Sequence, residues 1–386
     1  MKVYGVIGAN YGDEGKGMVS AHIRHHAGPR GTVTVLTNGG AQRGHTVASR
    51  DGRRFVFHHL GASMPGDDNV TYCPRRFVLN PMVLMQDIRD YQASWSRAVP
   101  TVFVNPYCMV TTPYDMMACQ VEELLAKEGS RWGSTGMGVW HTRHRDRYVA
   151  LRASELFRWC RDGVTDQPED RLRAIRDYWL TSYLRECAVP SEYKELFESK
   201  ALVDSWMQDA VSMCTLYSEC RSPFYKGTPY TAAVFENAQG LMLSEDKGRH
   251  STSSCTRALA IMDEVRDWDG LDREVKLFYV SRTYLTRHGD GPLPRECPQE
   301  FLHTEMRDET NVWNQWQGEL RYGLLDELEL KLRVECDIGT AGLKPEDAVL
   351  VMTHVNEVPR RSRLEYPMPV VGVDNPYMDE DLGIVR

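Results

Sequence analysis

The sequence predicts an α/β fold, a single large domain in which helices flank a mostly parallel central sheet. Short apolar, β-rich runs recur along the chain, helical patterns lie between several of them, and the first run leads directly into a glycine-rich loop. Strands that alternate with helices form parallel sheets, because a crossover must return the chain before the next parallel strand begins. The predicted strands are residues 3–7, 32–36, 99–104, 231–235, 275–280 and 348–352.

The helical patterns define the rest of the predicted organisation. Residues 81–92 and 114–127 have amphipathic spacing, and a helical insertion is predicted at about 150–220, broken near Pro190. The chain contains no internal repeat or obvious linker. We therefore expect residues 1–386 to form one domain, with ligands bound at the carboxyl ends of the strands.

Composition excludes several classes of protein. The 386 residues are 42% apolar and carry a net charge of −8, which argues against a general nucleic-acid-binding protein. No run of about 18 apolar residues predicts a membrane span, and the chain starts in a strand without a leader pattern. The ten cysteines are scattered without a C-x-x-C pair, which favours free thiols. A cytoplasmic protein is expected.

A glycine-rich loop follows the first predicted strand. Residues 8–17 read GANYGDEGKG, and such glycines let backbone N–H groups crowd around a phosphate while Lys16 adds positive charge. The carboxylates of Asp13 and Glu14 are unexpected in a loop that only holds phosphate, and they indicate magnesium or a proton transfer. Gly17 follows the lysine, so the hydroxyl of the common P-loop is missing, which disfavours a P-loop GTPase or ATPase.

Further loops place polar side chains between glycines. Residues 37–46 lead to His45, which can stabilise a phosphate or a developing oxyanion. Residues 131–138 read RWGSTGMG and precede arginines at 143, 145 and 147, a combination that suits a phosphomonoester, although any one arginine could instead lie on a solvated face. Residues 235–240 and 252–256 add amides and hydroxyls for a base edge.

Together these segments resemble the adenylosuccinate synthetase family, which joins aspartate to a purine nucleotide. The family's opening loop, G-x-x-[WFY]-G-D-E-G-K-G, and its N-G-G-x-x-x-G-H-T loop are the most specific matches. The matching segments, in family order, are residues 8–17, 38–46, 134–139, 236–240, 252–255 and 286–294. The resemblance covers the chain from Met1 to about Asp326 and implies the family's α/β fold and activity.

The resemblance also implies a role for individual residues. Asp13 would take the N1 proton of a 6-oxopurine nucleotide and bind Mg²⁺ with the Gly44 carbonyl. His45 would stabilise the transferring phosphoryl group, and Lys16 would hold phosphates. The other implied nucleotide- and phosphate-binding residues are Asn10, Gly12, Glu14, Gly15, Gly17, Gly44, Thr46 and Asn356. The implied purine-nucleotide contacts are Asn38, Ser134, Thr135, Arg145, Gln239 and Thr252. A homodimer is implied, because in the family the partner subunit supplies the arginine that reaches the nucleotide's phosphate.

Two family motifs are altered. The guanine-recognising T-K-x-D motif reads Thr353-His354-Val355-Asn356, so the carboxylate that would accept two hydrogen bonds from guanine is replaced by an amide. The aspartate-binding loop lacks its arginine cluster, which leaves Thr310, Asn311 and Arg321 as the implied aspartate-binding residues. These changes predict ATP or dATP as the phosphoryl donor, with GTP as the alternative.

The altered motifs resemble a divergent archaeal and phage branch that converts (d)GMP to 2-amino-(deoxy)adenylosuccinate for 2-aminoadenine nucleotides. This is the preferred prediction, and a phage-encoded member would work in the host cytoplasm. One alternative is the ordinary reaction of IMP, aspartate and GTP. The second is a non-catalytic nucleotide sensor, which the weakened aspartate loop favours and which Asp13, Lys16 and His45 disfavour.

Overall fold

The computed structural model describes residues 1–127, 133–163, 166–247, 251–268, 270–302, 311, 313, 315–358, 364–378 and 382–383. The described strands are β1 (Lys2–Gly8), β2 (Thr32–Val35), β3 (His45–Ala48), β4 (Arg54–Phe57), β5 (Val70–Cys73), β6 (Val78–Leu79), β7 (Thr101–Val104), β8 (Met109–Val110), β9 (Ser218–Glu219), β10 (Ala232–Gly240), β11 (Glu274–Arg282), β12 (Leu285–Arg287), β13 (Glu296–Cys297), β14 (Arg321–Gly323), β15 (Ala348–Thr353) and β16 (Val370–Val373). The described helices are α1 (Lys16–Ala27), α2 (Pro81–Asp90), α3 (Pro113–Leu125), α4 (Val139–Arg145), α5 (Ala153–Asp162), α6 (Asp166–Tyr178), α7 (Ser191–Phe197), α8 (Lys200–Leu216), α9 (Ala258–Arg266), α10 (Gln299–Leu302) and α11 (Glu327–Thr340).

A parallel sheet forms the centre of the fold. Within the described residues it has nine strands in the order β16-β15-β11-β1-β10-β2-β5-β7-β9, and every neighbouring pair is parallel. The predicted α/β class is confirmed, and all six predicted strands are present. Short strands such as β5, β9 and β16 were not predicted, because two to four residues give too little periodicity to distinguish a strand from a loop.

Both faces of this sheet are covered, so its central strands are buried on both sides. On one face Val3 and Ile7 of β1 pack in a core that includes Ile261 of α9 and Val334 of α11. On the other face Val6 packs with residues of α1. Burial on both faces explains why the sequence of β1 is almost continuously apolar rather than alternating.

Helices α5 to α8 occupy the stretch where the helical insertion was predicted. They lie in the chain between β8 and β9, and they share a separate apolar core with α2, α3 and the β3–β4 hairpin. Among the described residues, no helix combines the length and apolar character that crossing a membrane requires.

The insertion is tied to α3 and α4 by one buried carboxylate. Asp115 pairs with the Arg145 guanidinium through Nε at 2.7 Å and Nη2 at 3.0 Å, and it accepts a hydrogen bond from Trp179 Nε1 at 2.9 Å. It also accepts hydrogen bonds from the backbone N–H and the hydroxyl of Thr112, which caps α3. Three elements therefore depend on one side chain.

Replacing Asp115 tests this dependence. Asp115→Ala leaves the guanidinium of Arg145 buried without its counter-charge, so the free energy of unfolding should fall by about 3–5 kcal/mol. Chemical denaturation measures the change. The exposed Asp204, which pairs with Lys200, provides the control, and Asp204→Ala should cost less than about 1 kcal/mol. Equal losses in the two variants would contradict the central role of Asp115.

Candidate functional site

A cavity of about 530 Å³ lies where the loop after β1 meets several other loops. It is lined by residues 12–18, 42–46, 48–49, 52–54, 238–239, 282, 284, 311, 353–354, 356–357 and 373–377. Most of these segments lie at or just after the carboxyl ends of β1, β2, β10, β11, β15 and β16, and the β3–β4 hairpin contributes residues between 45 and 54. Ligands bind at this edge of open parallel sheets, so the cavity lies where the fold class predicts a binding site.

The loop after β1 is held in an unusual backbone conformation. Gly12, Asp13 and Gly15 have φ angles of 101°, 60° and 96°, in the left-handed region that glycine adopts most readily. Gly15 precedes α1 without a side-chain cap, which leaves the first N–H groups of that helix for a ligand. A Cβ on Gly17 would lie 2.8 Å from the backbone carbon of His45, so the β3–β4 hairpin rests directly on the loop.

The carboxylate of Glu14 points into the loop and is bonded there. Its buried carboxylate accepts hydrogen bonds from the backbone N–H groups of Asn10 at 3.0 Å and Gly12 at 2.9 Å, and it pairs with Lys16 Nζ at 2.7 Å. The Asn10 side chain is also engaged, because its amide donates to Ser281 Oγ and its oxygen accepts from an Arg333 guanidinium. The side chains of Glu14 and Asn10 therefore organise the loop instead of presenting free groups to phosphate.

Asp13 is the loop carboxylate that faces the cavity. Its side chain is 29% exposed, and its Oδ2 lies 3.6 Å from Nε2 of His288. Nε2 of His288 also lies 3.3 Å from Oδ1 of Asn311. His288 was not predicted as a site residue. It belongs to residues 286–294, which resemble the family segment T-R-V-G-x-G-P-F-P, with His288 in place of the valine. A polar residue at an apolar motif position was the available signal.

His45 is held by a buried carboxylate. Its Nδ1 lies 2.9 Å from Oε2 of Glu236, and the Arg43 guanidinium contacts the same oxygen at 2.6 Å. Burial and the neighbouring Arg43 charge lower the pKa of His45 to about 4, so the ring is neutral at pH 7. Although burial opposes it, the hydrogen bond with His45 and the charge of Arg43 keep the pKa of Glu236 below its ordinary value. The orienting role of Glu236 was missed, although a carboxylate inside a buried strand was a signal.

The residues implied for the purine nucleotide are spread over two regions. Gln239 lines the cavity with a φ of 62°. Asn38 joins two loops, because its oxygen accepts from the Ala238 N–H at 2.8 Å and its amide donates to Ser254 Oγ at 3.2 Å. Thr252 Oγ1 donates to the Ser254 carbonyl. Asn38 and Thr252 therefore support the loops beside Gln239.

Ser134 and Thr135 begin the third glycine-rich loop, which is partly buried against α3. The N–H of Ser134 donates to Glu123 Oε1 at 3.0 Å, and its Oγ lies 2.9 Å from Cys119 Sγ. The Gln120 amide donates to the carbonyl of Gly136 at 3.2 Å. Side chains of α3 thus fix the backbone of this loop, and residues 133–138, the part of it that the structure describes, do not line the 530 Å³ cavity.

Arg145 lies where it cannot reach a phosphate without breaking its own contacts. It is fully buried, and besides the Asp115 pair it donates to the carbonyls of Val149 and Val110. The structure thus places Arg145 in the packing of α4 against α3. Of the other two candidate arginines, Arg143 is partly buried and Arg147 is exposed.

The residues implied for aspartate and for the donor base have different surroundings. Arg321 pairs with Glu296 at 2.7 and 2.5 Å, and it donates to the carbonyls of Gly289 and Gly291. Asn311 lines the cavity, and Thr310 lies outside the described residues. Asn356 is exposed in the turn after β15, where it lines the cavity close to the segment at 373–377. Of these residues, Asn311 and Asn356 are the ones that reach the cavity.

The loop residues fit a magnesium ion that binds together with phosphates. No group of three or more His, Cys, Asp or Glu side chains in the described part of the chain could hold a metal by itself. Mg²⁺ usually takes one or two protein oxygens and completes its shell with substrate phosphates and water. The carboxylate of Asp13 and the exposed backbone of Gly44 both line the cavity and would supply those oxygens.

The internal role of Glu14 gives a testable prediction. Glu14→Gln removes the negative charge beside Lys16 and turns an amide N–H₂ towards donors, so the free energy of unfolding should fall by about 1–3 kcal/mol. Thermal and denaturant unfolding measure this loss. Glu346→Gln, at an exposed ion pair, is the control and should change stability by less than about 0.5 kcal/mol. A Glu14→Gln protein as stable as the control would show that the loop does not need the carboxylate.

Known proteins resemble this chain in both sequence and fold. The family model for adenylosuccinate synthetase matches residues 5–341. Adenylosuccinate synthetase of Stenotrophomonas maltophilia strain R551-3 is 26% identical over 348 aligned residues, which cover 88% of this chain and 75% of that protein. The enzyme of Methylococcus capsulatus strain Bath is 28% identical over 300 residues, which cover 75% of this chain and 64% of the other.

Two solved structures share the fold. Fully ligated adenylosuccinate synthetase from Plasmodium falciparum has a TM-score of 0.66 and 17% identity, and the match covers 92% of this chain and 77% of that one. Cyanophage S-2L succinoaminodeoxyadenylate synthetase, bound to dGMP and dATP, has a TM-score of 0.56 and 16% identity, with 93% and 86% covered. Because the family model spans far more than half of the sequence, this chain belongs to the adenylosuccinate synthetase family of nucleoside-triphosphate-dependent C–N ligases.

Proposed function

We propose that this protein joins L-aspartate to C6 of a 6-oxopurine nucleotide through a 6-phosphoryl intermediate. The proposed substrates are (d)GMP, aspartate and ATP or dATP, and the product is 2-amino-(deoxy)adenylosuccinate. One observation carries the proposal: Asp13 presents its carboxylate to a cavity that also holds Lys16, His45 and Gly44. A proton acceptor beside a phosphate-binding loop is what activation of a purine oxygen requires.

The residues supply each step of this chemistry. Asp13 accepts the N1 proton, the resulting charge moves to O6, and O6 attacks the γ-phosphorus of the donor while the bond to the β-phosphate oxygen breaks. Lys16 and the first N–H groups of α1 hold the phosphates. The amine of aspartate then attacks C6, loses a proton, and expels the phosphate. Magnesium, when bound with Asp13 and Gly44, would neutralise charge on the phosphates.

His45 stabilises charge at the transferring phosphoryl group. With Nδ1–H donated to Glu236, the neutral ring has Nε2 left for the cavity. The negative charge of a bound triphosphate favours the protonated ring, and Glu236 stabilises the resulting imidazolium through the same hydrogen bond.

Support for dGMP and an adenine donor comes from two directions. The fold neighbour from cyanophage S-2L binds dGMP and dATP, and Asn356 stands where the family motif has a carboxylate that reads guanine. The second candidate function is the ordinary reaction with IMP and GTP, which is favoured by the names of relatives near 26% identity. A sensor without catalysis would not need Asp13, Lys16 and His45 in one cavity.

The purine nucleotide's phosphate needs a cation outside the opening loop. Because Arg145 is committed to Asp115, we assign this role to Arg143, which lies on the same helix and is only partly buried. Arg143 would act across a homodimer interface, as the family resemblance implies. We place the enzyme in the cytoplasm, which is the host cytoplasm if the protein is phage-encoded.

A substrate panel tests the proposal. IMP, dIMP, GMP and dGMP are each incubated with aspartate and either ATP or GTP, and phosphate release and the succinylated product are both measured. We expect the highest kcat/KM with GMP or dGMP and ATP. A preference for IMP and GTP would support the ordinary reaction, and phosphate release without a succinylated product would reject the ligase.

The panel needs a matched pair of variants. Asp13→Ala should lower kcat by about 10²–10⁴-fold, the range expected for loss of a general base, and should leave the fold intact because the residue lies in a loop. Asp204→Ala is the surface control and should retain native activity. Near-native turnover of Asp13→Ala would require another base.

The donor base gives a second prediction. Asn356→Asp restores a carboxylate that can accept from guanine N1–H and N2–H₂, so the kcat/KM ratio of GTP to ATP should rise about tenfold or more. Both donors are compared at saturating purine nucleotide and aspartate. Asn375→Asp adds the same charge in the facing segment and is the control for a general electrostatic effect. An unchanged ratio in Asn356→Asp would remove this residue from donor recognition.

A further inference from the structure

A chain of three side chains connects the turn after β15 to the backbone of Asp13. Nε of Arg282 donates to the Asp13 carbonyl at 2.6 Å, and Nη1 of Arg282 donates to the Tyr284 hydroxyl at 2.8 Å. That hydroxyl donates to Oε2 of Glu357 at 2.6 Å. Arg282 therefore donates in both directions, to the Asp13 carbonyl on one side and, through the Tyr284 hydroxyl, towards Glu357 on the other.

This chain is well enclosed. The guanidinium of Arg282 lies 5.4 Å from the centre of the Tyr284 ring, and both residues are at least 95% buried. Hydrogen bonds to charged groups in a protein interior are stronger than exposed ones. Arg282 and Tyr284 therefore form a fixed connection rather than a transient surface contact.

A second hydrogen bond joins the same two segments. Thr353 Oγ1 donates to the carbonyl of Glu14 at 2.9 Å. Arg282 of β11 thus holds the carbonyl of Asp13, and Thr353 at the end of β15 holds the carbonyl of the next loop residue, Glu14. Asp13 has a φ of 60°, a left-handed conformation that costs a non-glycine residue about 1–2 kcal/mol, so its backbone needs such external contacts.

We propose that Arg282, Tyr284 and Glu357 position Asp13 for proton abstraction, with Glu357 fixing the outer end of the chain at the donor-base turn. The inference rests on the proposed function, in which Asp13 is the base and the turn at 354–357 receives the donor nucleotide. Glu357 and Asn356 both line the cavity, so the chain runs from the turn proposed to receive the donor base to the backbone of the residue that carries the proposed catalytic carboxylate. A base displaced by about 1 Å can lose roughly 10²-fold in rate.

Three variants test the chain by steady-state kinetics. Tyr284→Phe removes the hydroxyl and keeps the ring, Glu357→Leu removes the acceptor, and the double variant removes both. We expect each single variant to lower kcat at least tenfold while the donor KM changes less than threefold, because the lost contact acts on Asp13 and not on the donor. The double variant should be no slower than the slower single variant, since one broken link already interrupts the chain.

Rescue and control variants separate positioning from damage to the fold. Glu357→Gln keeps an acceptor oxygen and should stay within threefold of the native kcat. Tyr366→Phe removes a hydroxyl that contacts Glu327 on α11, outside the cavity, and should match the native enzyme. Independent, multiplicative losses in the double variant, a loss confined to donor KM, or a native kcat in Tyr284→Phe would each overturn the proposal.

A crystal structure of Tyr284→Phe provides a result that does not depend on turnover. The proposal expects the hydrogen bond from Arg282 to the Asp13 carbonyl to be lost or lengthened, and an unchanged bond would overturn it. If the native protein forms no succinylated product with any nucleotide of the panel, the proposed function fails. The geometry of Asp13 in the variant then still decides whether the chain holds the loop.

Discussion

The buried carboxylate of Glu14 is the constraint on which the site depends. A negative charge inside a phosphate-binding loop is unfavourable in isolation, but here Lys16 and two backbone N–H groups satisfy it. These contacts fold the loop around Glu14, directly before α1 begins at Lys16. The neighbouring carboxylate, Asp13, is left facing the cavity. Of these two adjacent acidic residues, Glu14 thus stabilises the loop from inside and Asp13 faces the cavity.

The sheet brings the partners of this loop together. The strands β1, β10, β11 and β15 end at one edge, and each contributes to the same cavity. Glu236 of β10 orients His45, and Arg282 of β11 contacts the backbone of Asp13. The side chains that line the cavity are therefore held at the ends of paired strands, so the fold itself sets their positions.

Much of the fold and part of the candidate site were predictable from the sequence. Apolar runs predicted all six strands, and the GDEGKG and GH segments predicted two loops that meet in the cavity, but the hairpin of β3 and β4 was not predicted. The different orientations of the Asp13 and Glu14 side chains were not predictable, because side chains in a loop do not point in directions that repeat with a fixed period. The burial of Arg145 was not predictable either. Three arginines lie close together in the sequence, and only the packing of α4 against Asp115 shows which of them is buried. His288 enters the site through tertiary structure alone.

The contact at Gly17 has a further consequence. The backbone of His45 lies against the first turn of α1 with no side chain between them, because a Cβ at position 17 would overlap it. Main-chain contact therefore sets the spacing between the start of α1 at Lys16 and the imidazole of His45. Substitutions of the surrounding side chains can therefore change the shape of the cavity without altering that spacing.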